Sequence, residues 1–471
     1  MVLVVNMMPG AMSGETNQDS EPHLAVNPAN PLQMVGTAFT PDPMGGANAP
    51  IYVSVDGGKT WVLNFVVPST AGSAVGTFDI TTAFGTSTNT LYGGILKAVA
   101  GNPMVILRSP DFGGTTAMRA LSNRNGPDQP FAHAVTIVSG AVSGANTGKD
   151  VLLIGDNDLA EPTRRTATVD ISTNAAGASP RFKSVRIEAR STGNQNGPQV
   201  RPVAHPDGTL YAAFYSWRAR KQLPGSPNLL INADVVVVRD DKLARGTRPF
   251  QALVDPADGI AGMRVAQGVQ FPFEKQATLG QQRVGGALSI AVDPRNSSTV
   301  YLAWADTQPS GYTIHIRRST DRGVTWSTAD LLSIAPHSTN PALAVNSEGT
   351  VGLLYQQLTN PSGTPANQSW VTHFTRSADT HNWNDLILAN VPAATPIKKF
   401  DPYLGDYCHV LAIGKDFYGI FSANNTPNKD NFPNGVLYQR NCSFDNHTLL
   451  ALNGTTLVAP SIDPFFFKVD G

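Results

Sequence analysis

The residues best equipped for chemistry are acids and tyrosines at the starts of short apolar segments: Asp19, Glu21, Asp79, Asp401, Tyr403, Asp406 and Tyr407. A carboxylate can give or take a proton, and a tyrosine beside one can serve as acid or nucleophile. Asp406 and Tyr407 form the best pair, either for such a role or for capping a local turn. Arg201 and Arg283 stand at comparable places, where a guanidinium can clamp an anionic substrate group or merely face solvent or a neighbouring strand. His23, His133 and His409 lie on segments of the same kind. Converging histidines with a tyrosine could abstract a proton from an acidic sugar; each alone reads as a packed, hydrogen-bonded side chain. No His-x-x-x-His spacing marks a metal, and neither metal nor cofactor is expected. Trp217, just before a long insertion at 218–230, and Phe271 with Phe273, inside another at 255–282, are either sugar-stacking platforms or core packing.

These candidates need a scaffold that brings distant segments together, and the repeat pattern supplies one. A strongly apolar segment recurs seven times: Met34 to Phe39, Leu91 to Ile95, Val151 to Gly155, Leu210 to Phe214, Val300 to Trp304, Val351 to Tyr355 and Phe417 to Phe421. Each is preceded by a second strand-like segment, and turns such as Asn27-Pro28-Ala29-Asn30 and His205-Pro206-Asp207-Gly208 join the two into hairpins. The preceding segments run His23 to Asn27, Phe78 to Phe84, Phe131 to Val138, Gln199 to His205, Ala287 to Asp293, Pro341 to Asn346 and Tyr407 to Gly414. A third strand follows in most units, including Val436 to Arg440 in the last. Sheets this small cannot bury both faces alone, so they must pack around an axis and close into a ring. The expected fold is all-β, a single seven-bladed β-propeller over residues 1–471, with blades beginning near residues 20, 77, 130, 198, 286, 340 and 403. Either Val2 to Asn6 or the tail from Pro464 to Val469 could close the ring.

Composition narrows the partners. Charged residues make up 15% of the chain and the net charge is -1, so no footprint for DNA, RNA or an anionic membrane is visible. No apolar stretch is long enough to span a bilayer. The opening residues carry no export signal, so an exported product would have lost it; a secreted or extracellular location is expected, with the cytoplasm left open. Neither a phosphate-binding loop nor a Gly-x-Ser-x-Gly elbow is present, which removes nucleotide-dependent and esterase chemistry. Cys408 and Cys442 are the only cysteines and fall in the same blade, as a disulfide or as two free thiols.

Two turns share a spelling, Ser-x-Asp-x-Gly-x-Thr-Trp: Ser54, Asp56, Gly58 and Trp61 in one, Ser319, Asp321, Gly323 and Trp326 in the other. Degenerate copies begin at Ser109 and Ser377. The Asp can accept backbone N–H groups and the Trp can pack beneath the turn, which is structural work. The spelling resembles the Asp box, or bacterial neuraminidase repeat, of sialidase-like β-propellers. The run Tyr403-Leu404-Gly405-Asp406-Tyr407 is similar to the start of an inner strand in the same group. The resemblance implies a carbohydrate-directed role, glycan binding or glycoside processing of the exo-sialidase type at the axial pocket. It also implies catalytic work for Asp406, Tyr407, Arg201 and Glu21, and ligand contacts for Arg283, Tyr403, His23, His409 and Trp217. The family's site uses three arginines, a tyrosine nucleophile with a glutamate, and an aspartate acid/base. Its first arginine lies in an Arg-Ile-Pro phrase, and here the matching stretch reads Glu21-Pro22-His23. The partner is then a carbohydrate or glycoconjugate. Two other readings stay open: a non-catalytic propeller that binds protein, and a polysaccharide lyase using His and Tyr.

Overall fold

The computed structural model describes the chain apart from residues 40–50, 65–76, 98–99, 110–118, 141–143, 227, 277–279, 283–286, 361–366, 394 and 397–403. It is all-β: among the described residues there is no α-helix, only three short 3-10 turns. Among the described residues, seven sheets of four or five strands follow one another, antiparallel but for one short parallel pair at the edge of the last, with one small three-stranded sheet near the C-terminus. Their first strands are Ser20–Val26, Thr77–Phe84, Pro127–Thr136, Val200–Ala204, Leu288–Asp293, Ser338–Val345 and His409–Ile413, in sheets 1 to 7. The second strands, such as Leu91–Lys97 and Val351–Thr359, are apolar along nearly their whole length because both faces are covered.

The covering comes from the neighbouring sheets. Seven buried apolar clusters each lie between two consecutive sheets: Ile80 and Leu91 of sheet 2 pack on Val35 and Ile51 of sheet 1, and so on round to Ile420 and Phe466 of sheet 7 against Leu24 and Tyr52 of sheet 1. The first strands touch in the same cyclic order, ending with His409–Ile413 against Ser20–Val26. The arrangement is propeller-like, with the first strands innermost.

Both ends of the chain close it. Ile462–Val469 pairs antiparallel with the second strand of sheet 7, Asp416–Asn424, and Val2–Asn6 pairs antiparallel with Ile462–Val469. The stretch Val436 to Arg440, expected as the third strand there, instead gives only Leu437–Tyr438 on the outer edge, parallel to Val2–Asn6. Its few backbone bonds cannot compete with the eight paired positions that the Phe-rich terminal strand makes.

The two Ser-x-Asp-x-Gly-x-Thr-Trp turns share a set of hydrogen bonds, and the first adds a Lys59 N–H to Asp56 at 3.1 Å. Asp56 accepts from Ser54 Oγ (2.9 Å), Thr60 N (3.0 Å) and Thr60 Oγ1 (2.7 Å), and Trp61 Nε1 donates to the Gly58 carbonyl at 3.0 Å. Asp321 accepts from Ser319, Thr325 N and Thr325 Oγ1 at 2.8, 2.9 and 2.6 Å, and Trp326 Nε1 donates to Gly323 at 3.2 Å. Both turns follow the third strand of their sheets, away from the innermost strands, and every donor they satisfy is local. Cys408 is buried and Cys442 half-buried, and both are free thiols rather than a disulfide.

Candidate functional site

One local device shapes the centre of the ring. The first strands of sheets 1, 2, 3 and 6 each carry an extra residue near their start, at Ser20/His23, Thr77/Ile80, Asp128/Phe131 and Thr339/Ala342. In three of them the extra residue has positive φ and precedes a proline: Glu21-Pro22 (φ 50), Gln129-Pro130 (φ 55) and Asn340-Pro341 (φ 54). Proline has no N–H to lose where the ladder is interrupted, and the bulge turns the preceding side chain out of the sheet.

Those side chains converge on the segment Leu404 to Tyr407, just before the first strand of sheet 7. Asp406 N–H donates to Glu21 Oε1 (3.3 Å), Gln129 Nε2 donates to Asp406 Oδ2 (3.4 Å) and Asn340 Nδ2 donates to the Gly405 carbonyl (3.2 Å). Gln199, at the start of sheet 4, donates to the Asp406 carbonyl at 2.8 Å. Groups from sheets 1, 3, 4 and 6 can reach one tetrapeptide only if it lies across the middle of the ring. Asp406 is thus tied to residues distant in sequence rather than to its own turn. Gly405 has φ +99, and a Cβ there would stand 2.4 Å from Glu21 N.

Around this crossing the structure brings Glu21, His23, Arg201, Asp406, Tyr407 and His409 near one another. Tyr407 Oη donates to Asp79 Oδ1 over a long 3.4 Å. Burial, then the charges of Asp79 and Glu21, push the phenol well above its usual range, so it is a proton donor at neutral pH. The Arg201 guanidinium lies 4.0 Å from the Phe131 ring centre and 5.3 Å from that of Tyr407. His23 and His409 stack at 3.8 Å, with Phe131 edge-on to both. Burial holds all three histidines neutral: His23 well below its usual value, His133 at about 4 and His409 at about 3. His23 Nδ1 accepts from the Thr82 N–H at 3.2 Å, which places its proton on Nε2. A ring N–H of His409 is bonded to the Leu24 backbone, leaving Nδ1 as an unprotonated nitrogen with no partner among the described residues.

A cavity of about 300 Å3 runs along the first strands of all seven sheets to Pro28, Pro206 and Pro294 in the turns beyond them. Its walls are mostly aliphatic. Phe131, His133, Arg201 and His409 belong to its lining, whereas Glu21, Asp79, Asp406 and Tyr407 do not. Arg201 and the aromatic groups therefore form a layer between an apolar cavity and a buried acid–tyrosine cluster.

One expected ligand contact is not part of this assembly. Trp217 is 1% exposed in the core between sheets 4 and 5, packed in one buried cluster with Phe271 and Leu288. Arg283 and Tyr403, like Asp401, lie outside the described residues. The bulge residues Gln129 and Asn340 are the additions. The recurrence of Glu, Gln or Asn before Pro at 21, 129 and 340 was their sequence signal.

No family model and no curated protein matches the chain in sequence. Solved structures resemble it in shape at low identity. Sqt1 from Chaetomium thermophilum is 13% identical, with 99% of this chain and 100% of that one covered and a TM-score of 0.44. The α-L-arabinofuranosidase of Fusarium graminearum, in complex with arabinobiose, is 12% identical, with 98% and 97% covered and a TM-score of 0.40. The endosialidase of phage phi92 is 10% identical, with 100% and 69% covered and a TM-score of 0.44. Scores this low carry no argument about activity.

Proposed function

We propose that the chain is a seven-bladed, sialidase-like β-propeller with a carbohydrate-directed role, acting on an acidic sugar at the axial cluster. The observation that carries this reading is the meeting of Tyr407, Asp79, Glu21 and Arg201 from sheets 7, 2, 1 and 4. In this reading Glu21 or Asp79 takes the Tyr407 proton as its oxygen attacks the anomeric carbon and the glycosidic bond breaks, the proton passing to the departing oxygen; water then cleaves the sugar from the tyrosine, while Arg201 holds the sugar's carboxylate. Asp406, tied on three sides, acts as a positioning residue. Hydrolysis of the exo-sialidase type follows from this set.

A second reading, a polysaccharide lyase, is favoured by the unprotonated His409 Nδ1 beside Arg201. There the histidine would remove the proton next to a uronate carboxylate that Arg201 neutralises. A panel of synthetic sialosides, other glycosides and uronate polymers separates the two: hydrolysis releases a free sugar, elimination an unsaturated, ultraviolet-absorbing product. Under hydrolysis Tyr407→Phe should cut kcat by about 100-fold or more with the melting temperature unchanged. Under elimination His409→Gln should do so. Binding to a glycan array without turnover of any substrate would refute both and leave a binding module.

A further inference from the structure

Three buried carboxylates gather where the two ends of the chain meet sheet 7. Glu15, Asp19 and Asp463 each bring a carboxylate oxygen within 4.8 Å of the others. They are 4%, 1% and 0% exposed. Arg440 faces them, its guanidinium bonded to Asp463 at 2.9 Å and to the Ser13 and Glu15 carbonyls at 3.0 and 2.8 Å. Three carboxylates against one guanidinium leave two negative charges out of contact with water, a state that needs a proton or a cation to persist.

The hydrogen bonding is uneven in an informative way. Asp463 is fully engaged, accepting from Asn6 (2.7 Å), Asn425 (2.8 Å), Arg440 (2.9 Å) and Ser461 (3.2 Å). Tyr52 Oη donates to Asp19 at 3.3 Å. Glu15 Oε1 accepts from the Asn17 N–H, but Oε2, buried in the same cluster, has no hydrogen-bond partner among the described residues. A buried carboxylate oxygen without a donor is an oxygen held for something else.

We propose that Glu15, Asp19 and Asp463 form a binding site for one divalent cation, and that the cation is calcium. The donors are all hard oxygens, with neither imidazole nor thiolate in the cluster, which disfavours zinc and copper. Oxygens as far apart as these can each sit at about 2.3–2.6 Å from a shared calcium. Glu15 and Asp19 supply the inner oxygens, and at Asp463 the cation displaces the Ser461 contact, the longest of the four. Its two charges cancel the surplus. The ligands come from positions 15, 19 and 463, so no local spacing announced them. The cation would fasten the last strand of sheet 7 to the segment that leads into sheet 1.

The test uses the full chain, stripped with a chelator and titrated with calcium chloride by calorimetry. One equivalent should bind, and calcium at a hundred times Kd should raise the melting temperature by about 3 °C. Terbium should luminesce on binding when Tyr52 is excited. Glu15→Gln keeps the shape and removes a charge; it should fold and bind calcium at least tenfold more weakly, as should Asp19→Asn. Calcium binding of equal strength in both variants overturns the placement. Absence of calcium heat, melting shift and terbium emission from the wild-type chain at millimolar metal overturns the site itself, whether or not the variants fold.

Discussion

Gly405→Ala tests the crossing of the ring most directly. The residue sits at φ +99, where an L side chain costs about 1–2 kcal/mol. The added Cβ would meet Glu21 at 2.4 Å (N), 2.6 Å (Cγ) and 2.8 Å (Cα), and two of those atoms are backbone that cannot swing aside. Relief requires the Leu404 to Tyr407 segment to retreat. The bonds exposed to that movement are Glu21 N–H to the Leu404 carbonyl (3.4 Å), Asp406 N–H to Glu21 (3.3 Å) and Asn340 to the Gly405 carbonyl (3.2 Å). At about 1 kcal/mol for each bond lost, and two of three lost, the whole cost is about 3–4 kcal/mol. Gly414→Ala is the control. It has φ +59 in the same sheet and open space around the added atom, so only the backbone cost of about 1 kcal/mol applies. Guanidinium denaturation of the two variants, followed by tryptophan fluorescence, should separate them by about 2–3 kcal/mol. If Gly405→Ala unfolds within 1 kcal/mol of Gly414→Ala, by roughly the usual error of such extrapolations, the segment does not lie against Glu21 and the axial cluster as described is wrong.

Three further outcomes follow from local geometry. His315 lies between Asp330 (2.7 Å) and Asp306 (3.2 Å); burial opposes its charge, but these bonds outweigh burial and push it up to about 9. Its folded value exceeds the unfolded value, so its contribution is complete below pH about 6.5 and lost as pH rises through about 9; stability should fall by about 2 kcal/mol across that window in pH-dependent melts, and His315→Gln should remove the slope. Asp321→Ala strips three acceptor contacts from an exposed turn and should cost about 1 kcal/mol in denaturant melts, adding independently to Asp56→Ala in sheet 1. A thiol reagent should find two free cysteines per chain: Cys442 in the native protein, and Cys408, whose Sγ bonds the Asn340 carbonyl at 3.0 Å, only after unfolding.

The hairpin frame was legible because alternating burial and turn chemistry are local. Leu288–Asp293 and Thr77–Phe84 lie within one residue of where their apolar runs and Pro-containing turns put them. Sheet 7 was misread at its third strand, since nothing local distinguishes Val436 to Arg440 from a paired strand. The choice is made by competition with Ile462–Val469, brought from the end of the chain. The axial residues Arg201, His23, His409, Glu21 and Tyr407 were reachable from their place at the starts of first strands. Asp79's partnership with Tyr407 and the ties on Asp406 were not, because bonds spanning more than 200 positions leave no spacing to read. Trp217 misled for the opposite reason: polar neighbours after it suggested an exposed turn, but the turn comes only beyond Gln222, and at Trp217 the hairpin is still packed against sheet 5.

The closing sheet also decides how the molecule answers a pull. Val2 is paired with Val469, and the Met1 amine lies 3.1 Å from Asp470, so both ends leave from the same corner of one antiparallel pair. Tension applied through the two ends therefore loads the backbone bonds singly, one rung after another, instead of sharing the load among them. The packed sheets would then come apart like a zip when drawn from the two ends.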